Sequence, residues 1–215
     1  MSAFDAKATG WDDDAKVARA VAVAGEIGEQ VPLAEVTDLF EFGCGTGLLS
    51  LALDPRPPRA LLTDTSAGML AVVRDKILAE GLPGWEAAPL DLTVTDGPEG
   101  AFDLVVSLLA LHHIHDVPAL LARFRRLLRP GGWVALSDLD DDEGRFHDAH
   151  THRHHDGFDR DTLARWLTDA GFRDVTFTTP HVLAKVVDGV ERDFSLFLAV
   201  GHATRRDRQP RQPVP

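Results

Sequence analysis

Three glycines in five positions, Gly43, Gly45 and Gly47, stand inside Glu41-Phe42-Gly43-Cys44-Gly45-Thr46-Gly47, and no other feature constrains the fold as strongly. The run before them, 36–42 (VTDLFEF), reads as a short buried strand, and the LLSLALD run after them as a helix closed by Pro55. Glycine suits such a junction because the backbone must turn sharply, often with positive φ, and because a ligand can then approach the main chain. The helix that follows aims free N–H groups at that ligand. The plain alternative is a structural turn between strand and helix.

The rest of the chain repeats the same unit. A strand over 59–63 precedes the helical DTSAGMLAVVRDKILAEG stretch, with Ser66 as N-cap and Gly81 as stop. A weak strand lies near 85–90 and a stronger one over 101–107, followed by an amphipathic helix over 117–129. Pro130-Gly131-Gly132 reads as a turn, and WVALSDLD as the next strand. This alternation predicts an α/β fold, a mostly parallel sheet covered by helices on both faces. Residues 140–157 read as a polar loop or irregular helix, and 159–170 as a helix capped by Asp159 or Asp161 and stopped by Gly171. Strands over 174–187 and 192–200 meet at Asp188-Gly189, a hairpin signal. Residues 15–30 form a helix begun by Asp12, Asp13 and Asp14, so that 1–30 caps a single domain over 1–203. The Pro- and Arg-rich 204–215 reads as a disordered tail.

Composition removes several function classes. Twenty-two Lys and Arg against 34 Asp and Glu leave a formal charge of −12, the wrong sign for a general nucleic-acid binder. Cys44 is the only cysteine, so neither an intramolecular disulfide nor a cysteine-based zinc site is expected. No apolar run approaches the ~18 residues of a membrane span and the N-terminus lacks a signal-peptide core, which predicts a cytoplasmic protein.

The ligand class follows from spacing. The dinucleotide fingerprint G-x-G-x-x-G would need a third glycine at Leu48, which disfavours a nicotinamide or flavin cofactor. Asp64 ends the second strand, where a carboxylate accepts both ribose hydroxyls; the alternative is a helix cap. Asp91, in PLDLT, follows the third strand and can accept the adenine amino group while Leu92 packs on the ring; the alternative is an ordinary turn aspartate. Three strand ends in register point to an adenosine-containing ligand.

On EFGCGTG, LLTDTSAGML, PLDLT, FDLVVSLLALHHIHD (Phe102–Asp116) and LLRPGGWVALSD (Leu127–Asp138), the chain resembles the class I S-adenosylmethionine-dependent methyltransferases over roughly 35–200. Within that class it is similar to the small-molecule, ubiquinone/menaquinone-biosynthesis-like branch. The resemblance implies a three-layer αβα Rossmann-like fold whose seven-stranded sheet ends in an antiparallel hairpin. It implies that Gly43, Gly45 and Gly47 pass under the methionine part of the cofactor and that Glu41 anchors the turn and the amino group. Asp64 takes the ribose, with Thr65, Ser66 and Met69 near the adenosine; Asp91 and Leu92 hold the adenine; Ser107 and Leu108 approach the sulfonium. An N-terminal aromatic, Phe4 or Trp11, closes over the cofactor, where a ring face attracts a sulfonium; the alternative for both is packing into the core.

The implied reaction is an in-line displacement of the cofactor methyl group by a small-molecule acceptor, with O- or C-methylation favoured. A base is needed only if the acceptor is protonated at neutral pH. His112, His113 and His115 follow the fourth strand, and His147, His150, His152, His154 and His155 follow the fifth; His112, His115, His154 and His155 are the candidates. The alternatives are loop support and solvation. His150 and His154 have i,i+4 spacing, but with no second shell in view no metal is expected. Histidines with Arg145 or Arg153 in one wall would attract an anionic acceptor. The acid run Asp138 to Glu143 reads as a solvated loop. Two other readings remain: a nicotinamide-dependent oxidoreductase, and a non-catalytic cofactor-binding or partner protein.

Overall fold

The computed structural model describes residues 8, 10–146 and 153–203; Phe4, His147, Asp148, His150, His152 and the 204–215 tail lie outside them. Seven strands, β1 (Asp38–Phe42), β2 (Arg59–Asp64), β3 (Trp85–Pro89), β4 (Phe102–Leu108), β5 (Leu128–Leu139), β6 (Phe172–Val187) and β7 (Val190–Ala203), form one sheet of order β3-β2-β1-β4-β5-β7-β6. The first five run parallel, and β7 is antiparallel to both β5 and β6. The expected α/β sheet with its C-terminal hairpin is therefore present.

Central strands are apolar on both faces because both faces are covered. Leu39 in β1 and Leu104 and Val106 in β4 pack with α1 (Asp14–Gln30), α2 (Leu48–Ala52) and α3 (Ala67–Ala79). Phe40, Phe42 and Val105 pack with α4 (Val117–Leu127) and α5 (Arg160–Asp169), and the Phe42 ring meets Phe124 edge-on at 5.4 Å. This gives three layers, helix on sheet on helix.

Local chemistry sets most boundaries. Asp13 caps α1 by accepting from the Lys16 N–H at 2.8 Å, Ser66 caps α3 through the Met69 N–H, and Asp159 caps α5 through the Thr162 N–H. Asp188 and Gly189, at φ 52° and 77°, turn the β6–β7 hairpin. Two expectations are corrected. Pro130-Gly131-Gly132 does not separate helix from strand; it lies inside β5, where a register shift between Phe102 and Leu104 absorbs it. The acid run is not simply solvated. Asp138 is fully buried, Asp140 takes a two-pronged ion pair from Arg160 at 2.7 Å, and Asp142 accepts from the Gly144 and Phe146 N–H groups at 2.8 Å.

At the amino edge of the sheet Arg59 and Arg129 hold Asp38, whose carboxyl is lowered to about 2, chiefly by the Arg59 hydrogen bonds. Arg129 also reaches Asp103 at 2.7 Å. These charges clamp the end opposite the glycine turn. No helix among the described residues is long and apolar enough to cross a membrane.

Candidate active site

The chain reverses sheet direction between β1 and β4, and the crevice above such a switch point is where open α/β sheets bind ligands. A cavity of about 630 Å³ opens there, at the carboxyl ends of the strands. The three glycines of its floor have different reasons to be glycine. A Cβ on Gly43 (φ 64°) would stand 2.5 Å from the Ala110 Cβ, where the β1 and β4 exits cross. Gly45 (φ 53°) faces open space and lines the cavity. Gly47 (φ 79°) lies outside the lining; a Cβ there would meet Val73 of α3 at 2.5 Å, so a side chain would disturb the packing of α2 against α3.

Glu41 lies beneath the turn, buried, and accepts a hydrogen bond from the Ser50 hydroxyl. Burial pushes its carboxyl up to about 8 against the opposing pull of Ser50. Asp64 closes the turn from β2: one carboxylate oxygen accepts the Gly45 N–H at 2.9 Å and the other the Ser66 N–H at 2.8 Å. Asp64, Thr65, Met69 and Asp91 all line the cavity. Ser66 does not; its hydroxyl is spent on capping α3. Leu92 does not either. It is fully buried under α4, and Leu90 and Thr93 take the wall beside Asp91. Ser107 is likewise withdrawn, donating to the Phe42 carbonyl at 3.0 Å and tying β4 to β1, whereas Leu108, Leu109 and Ala110 line the cavity.

The N-terminal segment is docked onto the turn. Thr46 donates to Asp12 at 2.5 Å, and the Lys76 ammonium both pairs with Asp12 at 2.5 Å and donates to the Thr46 carbonyl at 2.9 Å. This brings Trp11 to the cavity wall, with the Lys16 ammonium 5.0 Å from its ring centroid.

At the other end His112 is buried and meets Asp138, its Nδ1 2.8 Å from one carboxylate oxygen. His113, Ile114, Phe146 and Arg19 complete that wall. The other candidate histidines stand elsewhere. His115 is exposed and stacks edge-on with His154 at 5.3 Å. The His154 and His155 N–H groups donate to the His112 carbonyl at 2.9 and 3.2 Å, and His155 Nε2 donates to the Ile114 carbonyl at 3.0 Å. They buttress the loop that carries His112 and do not line the cavity. Arg145 pairs with Glu143, and Arg153 with Asp156 at 2.5 Å; neither lines the cavity, which takes Arg19 from α1. Asp138, Phe146, Arg19, Lys16, Leu90 and Leu109 are among the site residues that sequence reasoning missed. Helical periodicity held a signal for Arg19, which lies one turn before the buried Val23.

The lining suits an adenosyl sulfonium. Carboxylates stand at the β2 and β3 ends, and Gly45 leaves its backbone open to approach. A pyrophosphate would meet acid where it needs positive charge.

Comparison with known proteins agrees. Residues 13–176 match the methyltransferase domain family. Malonyl-[acyl-carrier protein] O-methyltransferase of Magnetococcus marinus is 38% identical over 132 residues, 57% of this chain and 47% of that protein. Trans-aconitate 2-methyltransferase of Deinococcus radiodurans is 41% identical over 107 residues, 49% of this chain and 38% of that protein. The chain thus spans about half the length, or less, of these curated relatives. A SAM-dependent methyltransferase from Aquifex aeolicus shares the fold at a TM-score of 0.67 and 16% identity, over 93% of this chain and 98% of that one. The chain belongs to the methyltransferase domain family.

Proposed function

We propose that the chain transfers a methyl group from S-adenosylmethionine to a small-molecule acceptor whose attacking atom must first lose a proton. The observation that carries this is the buried His112–Asp138 pair at one end of the cavity, with Asp64 and Asp91 at the strand ends to the other side of β1. When bound, the cofactor supplies an electrophilic methyl on a sulfonium, which needs no acid to leave. Gly43, Gly45 and Glu41 hold its methionine part, Asp64 the ribose, Thr65 and Met69 the adenosine, and Asp91 with Leu90 the adenine. Leu108 and Leu109 flank the reacting centre, and Trp11 covers it.

His112 is the base. Asp138 accepts its Nδ1–H, which sets the tautomer and puts the lone pair on Nε2. Nε2 takes the acceptor proton, and the buried Asp138 carboxylate balances the imidazolium that forms. An acceptor with an acidic O–H or C–H fits this arrangement, in keeping with O- or C-methylation. The relatives' names both carry acids, malonyl and trans-aconitate, which supports an anionic small molecule as the acceptor. The net charge of −12 speaks against a nucleic-acid acceptor.

The test is release of S-adenosylhomocysteine from S-adenosylmethionine across a panel of phenolic, enolic and carboxylic acceptors. Turnover with one of the first two groups, at least 100-fold weaker in Asp138→Asn, is expected. Turnover with no acceptor, despite tight cofactor binding, would refute it in favour of a non-catalytic binding protein.

A further inference from the structure

Arg19 is a cation without an assigned purpose. It projects from the inward face of α1 into the cavity, and its Nε is buried with no hydrogen-bond partner among the described residues. Asp13 and Asp138 act on it only through space, and both are engaged elsewhere, Asp13 by Lys16 and Asp138 by His112. A buried Nε–H left without an acceptor costs stability, and a ligand group would supply one. Its planar fork of N–H donors matches a carboxylate.

Strand order says which ligand. Asp64 and Asp91, at the ends of β2 and β3, stand to one side of β1; Asp138 on β5 and His181 on β6 stand to the other. The helix that carries Arg19 lies on β6, where Gln30 bonds Thr176 and Thr178, and the Arg19 charge acts on Asp138 and His181, so it sits over the β5–β6 side, away from the ribose and adenine positions. There it shares the wall with His112, Ile114 and Phe146, and the Phe146 ring rests edge-on against Phe194 at 5.2 Å. A cation, a base and two apolar side chains converge on one volume.

We propose that Arg19 anchors a carboxylate of the methyl acceptor, an organic acid with an apolar or aromatic body lying against Ile114 and Phe146 and its reacting atom turned to His112. This deepens the methyl-transfer reading above and rests on it.

The test uses the full chain with and without saturating S-adenosylhomocysteine. Thermal unfolding is followed in sodium chloride, sodium benzoate and sodium malonate at one ionic strength, for wild type, Arg19→Gln and Arg19→Lys. The expected result is that at least one carboxylate raises the wild-type Tm about 2 °C or more above chloride. Arg19→Gln abolishes that increment, Arg19→Lys keeps part of it, and the Arg19→Gln protein in chloride melts no lower than wild type. Absence of an increment in wild type, an equal increment in Arg19→Gln, or a Tm drop of several degrees in chloride would overturn the proposal. Calorimetry separates the sources of carboxylate. Arg19→Gln should bind S-adenosylhomocysteine within about twofold of wild type; a tenfold loss that vanishes with the decarboxylated analogue would place Arg19 on the cofactor and overturn the acceptor assignment. If S-adenosylhomocysteine does not bind while the carboxylate increment persists, the anchor stands and the methyl-transfer reading falls.

Discussion

His112 and Asp138 meet across the β4–β5 crossover: Nδ1 of the imidazole lies 2.8 Å from Asp138 Oδ1, and the His112 main-chain N–H donates to Oδ2 at 3.2 Å. The Leu139 N–H also donates to Oδ1 at 2.8 Å. One buried carboxylate thus fixes both the backbone and the ring of His112. Asp138→Asn keeps the shape but offers an amide where the carboxylate stood, favouring the wrong tautomer. A fall in kcat of about 10²–10⁴-fold is expected. The Kd for S-adenosylhomocysteine, read by calorimetry, should change less than about threefold, because Asp138 lies two strands from the glycine turn.

Asp64 does two jobs with one carboxylate. Asp64→Ala strips the acceptors from the Gly45 and Ser66 N–H groups. It should cost about 1–3 kcal/mol in urea unfolding and weaken S-adenosylhomocysteine binding at least tenfold. Asp64→Asn retains one acceptor oxygen and should recover part of the stability but little of the affinity.

The turn glycines should separate cleanly. Gly47→Ala drives a methyl to 2.5 Å from Val73 in a left-handed conformation, and a loss of about 2–4 kcal/mol is expected. Gly45→Ala, with nothing within 4 Å, meets only the backbone strain of about 1–2 kcal/mol. Its methyl would occupy cavity space, so cofactor affinity should drop more than stability. Paired urea and calorimetric titrations of the two variants distinguish packing from ligand contact.

Glu41 predicts a pH dependence of the fold. Its carboxyl is raised from 4.5 to about 8 by burial, so the folded protein binds a proton that the unfolded chain has lost. The stability this contributes is full below about 4.5 and disappears as pH rises through about 8. A shift of this size is worth several kcal/mol at about 1.4 kcal/mol per unit. Glu41→Gln should flatten the decline between pH 5 and 8.5 and be the more stable protein at the upper end, as measured by urea midpoints across that range.

Several features of the fold were plain in the amino-acid order because their chemistry is short-range. A Ser66 hydroxyl reaches its own helix three residues on, Asp188-Gly189 carries its own turn, and apolar runs bounded by breakers spell the β–α repeats. Asp64 and Asp91 were readable for the same reason, since the residue that ends a parallel strand stands at the crevice wherever that strand is placed. Which of two neighbours faces the ligand was less readable. Leu90 lines the cavity and Leu92 does not, and Ser107 turns inward while Leu108 turns outward, because successive residues of an extended chain point to opposite sides and a one-residue slip exchanges them.

The linear order of residues settled an α/β sheet, its glycine turn and an adenosyl-type ligand, all consequences of periodicity and of contacts within a few positions. Folding in three dimensions decided which side chains meet. It paired His112 with Asp138 from 26 residues away, sent His154 and His155 to brace a loop, and carried Arg19 of the first helix to the far side of the cavity. Those outcomes depend on which strand lies beside which and which helix covers which edge, relations that no local pattern of side chains encodes.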